Sequence, residues 1–305
     1  MGDTATILNL LHSGDFRTIG RCITMVENEL PGSADLLNAL NFNYKTPIIG
    51  ITGPPGAGKS SLVNALVEEF LLLNKRIGII AVDPTSPFNL GAILGDRVRM
   101  SEHFNNPGVY IRSIATRGSL GGLSSKIIEI TDVMRNANFD LIILETVGVG
   151  QSEIEIVGLA DVTVLVLVPE AGDEIQQLKS GVMEIADVFA VNKADRPGAE
   201  VYLKNLFHLL HTSDTQKKHA EIVKTIATKH EGIKELMNAC LKHTTLKQQH
   251  FKSFLLAEKA YKLIQNQRMK NINKTELQEA VAHSCNKENF NLYAFVQEFD
   301  KKHSV

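Results

Sequence analysis

Apolar residues follow two different spacings along the chain. From Ile48 to about Ile226, short continuous apolar runs alternate with longer stretches in which apolar residues recur every three or four positions. The first pattern reads as strand and the second as helix. Strands are predicted over 48–52, 76–82, 109–114, 140–145, 162–168, 187–192 and 221–226. Helices fit between most of them, notably over 59–73, 122–137, 174–185 and 199–211. Leu141-Ile-Ile-Leu144 and Val162-Thr-Val-Leu-Val-Leu-Val168 are apolar at odd and even positions alike, so both faces of those strands need cover. The expected class is α/β: a doubly wound, mostly parallel sheet flanked by helices. Ligands in such sheets bind beyond the carboxyl ends of the strands.

Helical spacing continues on either side. In residues 3–40, Leu8, Leu11, Ile19, Ile23 and Val26 fall near helical spacing, and Pro31-Gly32 breaks the run. Near the other end, Leu255, Leu256, Lys259, Ala260, Leu263 and Ile264 make one amphipathic stripe, and Asn289–Phe299 makes another. The chain is therefore divided into an N-terminal helical extension, 1–46, a core domain, 47–235, and a charged C-terminal helical region, 236–305.

Composition narrows the class. The 305 residues are 44% hydrophobic, enough for a substantial core. Thirty-two basic against 34 acidic residues leave a net charge of −2, which argues against a broadly basic nucleic-acid surface. Cys22, Cys240 and Cys285 are odd in number and far apart, which fits a reducing compartment without a disulfide framework. The N-terminus has no basic segment followed by an apolar one, and no apolar run approaches about 18 residues. The expectation is a cytoplasmic protein that engages neither nucleic acid nor membrane.

Candidate chemistry lies at the ends of the predicted strands. After the first strand come Gly53, Pro54, Pro55, Gly56, Ala57, Gly58, Lys59, Ser60 and Ser61, which contain the phosphate-loop pattern G-x-x-x-x-G-K-[ST]. Glycines let backbone N–H groups close around phosphate oxygens, and the following helix N-terminus adds partial positive charge. Lys59 is expected at the β- and γ-phosphates and Ser60 on Mg²⁺. The second strand ends at Asp83, which could hold a Mg²⁺-bound water or orient the attacking water. Asp96, between Gly95 and Arg97, is a candidate switch ligand or second carboxylate behind Mg²⁺. The fourth strand ends in Glu145 at the Walker B position, followed by Gly148, whose N–H is expected to contact the γ-phosphate.

Asn192-Lys193-Ala194-Asp195 follows the sixth strand and matches N-K-x-D. The Asp195 carboxylate can accept from guanine N1–H and the 2-amino group, a donor pair that adenine lacks. Asn192 would support the loop and the Lys193 stem would cover the base. This pattern selects GTP and GDP over adenine nucleotides. The seventh strand leads into Thr225, Ile226, Ala227 and Thr228, where a backbone N–H is expected to meet guanine O6, with Ile226 replacing the usual Ser or Thr.

These motifs occur together with Val-Asp-Pro-Thr-Ser-Pro, Gly-Asp-Arg-Val-Arg-Met, Arg117-Gly-Ser-Leu-Gly-Gly-Leu-Ser124 and Glu-Thr-Val-Gly-Val-Gly-Gln-Ser, in a fixed order. The chain resembles the MeaB-type GTPases, also labelled ArgK or LAO/AO transport ATPase, a family that includes the mitochondrial methylmalonic aciduria type A protein. The likeness is tight over about residues 45–235 and loose at the helical ends. It implies a G protein that gates cofactor delivery to an adenosylcobalamin-dependent acyl-CoA mutase, and protects or reactivates it. It also implies GTP and Mg²⁺ as ligands, Asp83, Asp96 and Glu145 as the Mg²⁺ and switch carboxylates, and a homodimer formed through the C-terminal helices. A further switch loop after the fifth strand would be Pro169–Lys179, with Asp173, Glu174, Gln176 and Lys179 coupling nucleotide state to the mutase.

Two alternatives stay open. One is a kinase or ATPase acting on an amino-acid transport component, although no phospho-acceptor histidine stands out. The other is a metal-insertion GTPase of the nickel type. His208, His211, His219, His230, His243 and His250 are scattered and read as surface residues, which weighs against it.

Overall fold

The structure is a computed structural model that describes residues 4–41, 45–83, 100–115, 126–146, 156–170, 183, 186–212, 220–247, 252–285 and 290–303. The sheet contains β1 (Ile48–Thr52), β2 (Ile77–Asp83), β3 (Val109–Ala115), β4 (Leu141–Glu145), β5 (Val162–Leu167), β6 (Val188–Val191) and β7 (Glu221–Lys224). Their order is β3-β2-β4-β1-β5-β6-β7, and every pairing is parallel. β1 lies at the centre, between β4 and β5, and the direction of winding reverses there. That reversal opens a crevice at the carboxyl end of β1.

Among the described residues of Met1–Phe251, the helices are α1 (Thr4–Ser13), α2 (Phe16–Glu27), α3 (Ser33–Ala39), α4 (Lys59–Leu72), α5 (Ile127–Arg135), α6 (Ala199–Thr212) and α7 (Ile233–Lys247). Strand residues alternate between two apolar layers. Val162, Val164, Val166, Val188 and Ala190 pack with Leu62, Leu66 and Phe70 of α4 and with Leu236, Met237 and Cys240 of α7. Leu165, Leu167, Phe189 and Val191 pack with Tyr202, Leu206 and Leu210 of α6. Two-sided burial is why these strands carry no polar parity. The Cys240 thiol lies so deep that burial pushes its pKa up to about 12.

The predicted helical start is present as α1, α2 and α3. α2 begins at Asp15, whose carboxylate accepts from the Thr18 N–H at 2.7 Å and caps the helix. Leu11, Ile19, Ile23 and Val26 are buried. The Arg76 guanidinium sits over the rings of Phe16 and Phe139, at 5.0 and 5.7 Å, and fastens α2 to the sheet.

The contact boundary of the chain falls between Met1–Phe251 and Lys252–Val305. It does not fall at 235/236, because α7 contributes Ile233, Leu236, Met237 and Cys240 to the central core. His243, read from sequence as a surface residue, is buried on α7. His208 and His230 are exposed. The second unit holds α8 (Lys252–Arg268), α9 (Lys274–Ser284) and α10 (Leu292–His303). Within α10, Phe295, Phe299 and His303 stack in succession, with ring centroids 5.7 and 4.1 Å apart. No helix among the described residues is long and apolar enough to cross a membrane.

Candidate functional site

Each strand of the sheet's centre delivers one part of the site to the same edge. β1 runs into the loop Gly53–Gly58, and α4 starts at Lys59. The loop is built for glycine at two points. Gly53 has φ +142°, and a Cβ there would lie 2.2 Å from the Val166 carbonyl oxygen. Gly58 has φ +89°, and its Cβ would lie 2.5 Å from Asn192 Nδ2. Both positions would be strained with any side chain. The result is a backbone cradle at the head of α4, where helix N–H groups and the helix dipole favour an anion.

Lys59 is buried, and its Nζ donates to the carbonyl oxygens of Gly53 at 2.8 Å and Pro54 at 3.0 Å. These bonds keep the ammonium over the cradle. Ser60 Oγ donates to Glu145 Oε1 at 2.8 Å, and both residues are buried. Glu145 comes from the end of β4, paired opposite Ile51 of β1. Thr146 extends the same junction, donating through its N–H to the Ile51 oxygen at 3.1 Å and through its hydroxyl to Thr52 Oγ1 at 3.0 Å. A hydroxyl and a carboxylate side by side at a strand end are hard oxygen donors, the set that suits Mg²⁺. Asp83 closes β2, two residues beyond the Ala81–Glu145 pairing, so its backbone reaches the same sheet edge. Asp96 and Gly148, and the coupling residues Asp173, Glu174, Gln176 and Lys179, lie outside the described residues.

The loop after β6 is joined to this cradle by Asn192. Its Nδ2 donates to the Ala57 oxygen at 3.0 Å. Its Oδ1 accepts from the Ala227 N–H at 3.1 Å and from Thr225 Oγ1 at 3.3 Å. One buried amide therefore connects the phosphate loop, the loop after β6 and the turn after β7. Lys193, at φ 55°, donates from Nζ to the Gly56 oxygen at 2.7 Å. Its stem thereby spans the gap between the two loops. Asp195 faces the turn Ala227–Lys229 and pairs with Lys229. That hydrogen bond holds the Asp195 carboxyl below the usual carboxylate range. Ile226 is buried with Ala194 and Ala199, so it acts as packing where a hydroxyl residue was the alternative, while Ala227 joins the central core.

Sequence reasoning missed three contributors. Thr225 braces Asn192, although a strand-end threonine carries no distinguishing signal. Lys229 pairs with Asp195 across two loops, and Arg196 pairs with Glu170 just beyond β5. Such pairs join segments far apart in sequence, so only the topology brings them into contact.

Asn192→Ala removes three hydrogen bonds and takes the acceptor from the buried Ala227 N–H, a loss on the order of 1–3 kcal/mol. Urea unfolding and GDP titration on the same variant should show a lower midpoint and weaker binding together. A variant that loses neither would mean the amide is not what joins the loops.

A family model described as methylmalonyl-CoA mutase-associated GTPase MeaB matches residues 19–286. A protein of Pyrococcus horikoshii that carries a GTPase name is 44% identical over 245 residues, covering 78% of this chain and 76% of that protein. The fused isobutyryl-CoA mutase of Geobacillus kaustophilus is 40% identical over 204 residues, covering 63% of this chain and 19% of its own length. Among solved structures, one titled LAO/AO transport system kinase superposes with a TM-score of 0.66 at 21% identity, covering 98% of this chain and 97% of its own, a likeness of fold.

Proposed function

This chain belongs to the MeaB GTPase family, and from that premise we propose that it uses GTP hydrolysis to gate cofactor delivery to an adenosylcobalamin-dependent acyl-CoA mutase, and to protect or reactivate that mutase. It is a GTPase and binds guanine nucleotide. The observation that carries the site assignment is the Asn192 bridge, which ties a base-reading loop to a phosphate cradle through one buried side chain. The mutase partner is supported by the family description and by the mutase fusion in a relative.

In the proposed cycle, the phosphate-loop N–H groups and the start of α4 hold the phosphates. Asp195 reads guanine N1–H and the 2-amino group, and the Lys193 stem covers the base. Water attacks the γ-phosphorus, the bond to the β–γ bridging oxygen breaks, and GDP and phosphate leave. Lys59 faces the charge that develops on the bridging and γ-oxygens. Ser60 and Glu145 would hold Mg²⁺, with Asp83 and Asp96 behind it, and the ion supplies charge neutralisation between the β- and γ-phosphates when bound. Gly148 would sense the γ-phosphate.

The segment 169–179, with Asp173, Glu174, Gln176 and Lys179, would carry nucleotide state to the mutase. The pairing of Glu170, at its beginning, with Arg196, beside Asp195, supports that route from the base-reading loop. The hydrogen bond from Arg196 holds the Glu170 carboxyl below its ordinary range. We assign the C-terminal unit to homodimer formation. Exposed Tyr261, Ile264, Leu292, Tyr293 and Val296 support this, because they offer apolar surface to a second copy. The proposed place of action is the cytoplasm.

Pull-down from the native cell extract tests the partner. The purified chain, loaded with GDP in one arm and a non-hydrolysable GTP analogue in the other, should retain an acyl-CoA mutase in amounts that differ between arms. Equal absence of any such mutase in both arms would remove the partner assignment.

A further inference from the structure

The carboxylate that reads guanine in the proposed site is held by a lysine from the turn after β7. Lys229 Nζ lies 3.2 Å from Asp195 Oδ2. Among the described residues Lys229 is the side chain that the structure pairs with Asp195, while the neighbouring Arg196 is turned to Glu170. The lysine stands on a fixed base. Ile226 and Glu231 exchange backbone hydrogen bonds at 3.0 and 3.3 Å, which closes the turn between them. The Lys229 N–H donates to the Ile226 oxygen at 2.9 Å, and the Ala227 N–H is held by Asn192. Below it, Gly232 has φ +74°, and a Cβ there would lie 1.9 Å from the Lys224 oxygen, so the chain can return only through glycine. On the other side of the pair, the Ala194 N–H donates to the Thr225 oxygen at 3.1 Å. The two backbones that carry Asp195 and Lys229 are thus bonded to each other before any ligand arrives.

We propose that Lys229 is a positioning residue for guanine recognition: its ammonium engages one lone pair of Asp195 Oδ2 and leaves the remaining lone pairs of the two carboxylate oxygens turned to the N1–H and 2-amino donors of the base. The inference rests on reading Asp195 as the base-reading carboxylate. An ionised carboxylate has about four lone-pair sites, so one ammonium leaves room for two further donors. An exposed aspartate without such a partner is free to rotate and must be ordered when the base binds, and a fixed cation removes part of that ordering cost. The contribution is specific to the 2-amino group, because that donor needs the carboxylate plane correctly set.

The test is competition binding of GDP and inosine diphosphate to the full chain as wild type, Lys229→Met, Lys229→Arg, Asp195→Asn and the Lys229→Met/Asp195→Asn double variant. Inosine diphosphate lacks the 2-amino group. Lys229→Met should lose roughly two- to fivefold in GDP affinity, the range of an exposed ion pair, with a smaller change for inosine diphosphate, so the preference between the two falls. Lys229→Arg should restore the preference. In the Asp195→Asn background, Lys229→Met should change the preference no further. A wild-type preference in Lys229→Met, an equal drop in the Asp195→Asn background, or failure of Lys229→Arg to restore it would each overturn the proposal. Undiminished GDP affinity in Asp195→Asn would instead remove the base-reading assignment beneath it, so the two failures are told apart.

Discussion

Lys59→Ala should lower single-turnover GTP hydrolysis by about 10²–10³-fold, on the order of 3–4 kcal/mol of transition-state stabilisation. The reason is geometric as well as electrostatic. Lys59 is the first residue of α4, buried, with its ammonium held at 2.8 and 3.0 Å from two carbonyl oxygens of the phosphate loop. A charge fixed in a water-poor cradle needs no reorganisation when negative charge builds up on the transferring phosphoryl group. Alanine removes that charge and also leaves the Gly53 and Pro54 oxygens without this donor, so some loss of GDP affinity should accompany the loss of rate. Thermal melting of the variant separates the two effects. A folded Lys59→Ala protein with undiminished turnover would refute the phosphate-site assignment.

Asp195→Asn should weaken GDP binding by about a hundredfold and raise affinity for xanthosine diphosphate, reversing the preference between the two bases. Guanine presents N1–H and a 2-amino group, both donors, to a carboxylate that only accepts. Xanthine replaces the 2-amino group by an oxygen, which repels the carboxylate but accepts from an asparagine amide. The wild-type chain should likewise prefer GDP to ADP by at least tenfold, since adenine has no such donor pair. Competition of GDP, xanthosine diphosphate and ADP against a labelled GDP probe measures all of this at once. Equal displacement by ADP would place base selection outside the loop after β6.

The pattern of apolar residues was sufficient for the sheet because burial leaves a strong trace. Val162–Leu167 is apolar at both parities since α4 and α7 cover one face and α6 the other. The phosphate loop was legible for a different reason: Gly53 and Gly58 occupy positions that exclude a Cβ, so the residue type records the geometry directly. Asn192, Lys193 and Asp195 were legible as chemistry, but their partners were not. That Asn192 reaches Ala57 and Ala227, or that Lys229 reaches Asp195, depends on β6 and β7 lying side by side on the β5 side of β1. The α7 helix was harder to read. Its charged positions suggested a peripheral tail, yet Leu236, Met237 and Cys240 share one face and complete the core. His243 follows the same helix inward, which spacing between histidines could not reveal.

The measurement that bears most directly on the central claim is GTP turnover by the purified chain, alone and with an adenosylcobalamin-dependent acyl-CoA mutase from the same cell. Alone, turnover should be slow, on the order of 10⁻⁴ to 10⁻² s⁻¹, as for G proteins acting without a stimulating partner. The mutase should raise it some 5- to 150-fold, equivalent to a coupling of about 1–3 kcal/mol. Asp173→Ala and Lys179→Ala should blunt that increase while leaving GDP affinity nearly intact. A turnover that no such mutase changes, with GDP and GTP forms binding the mutase equally, would contradict the account.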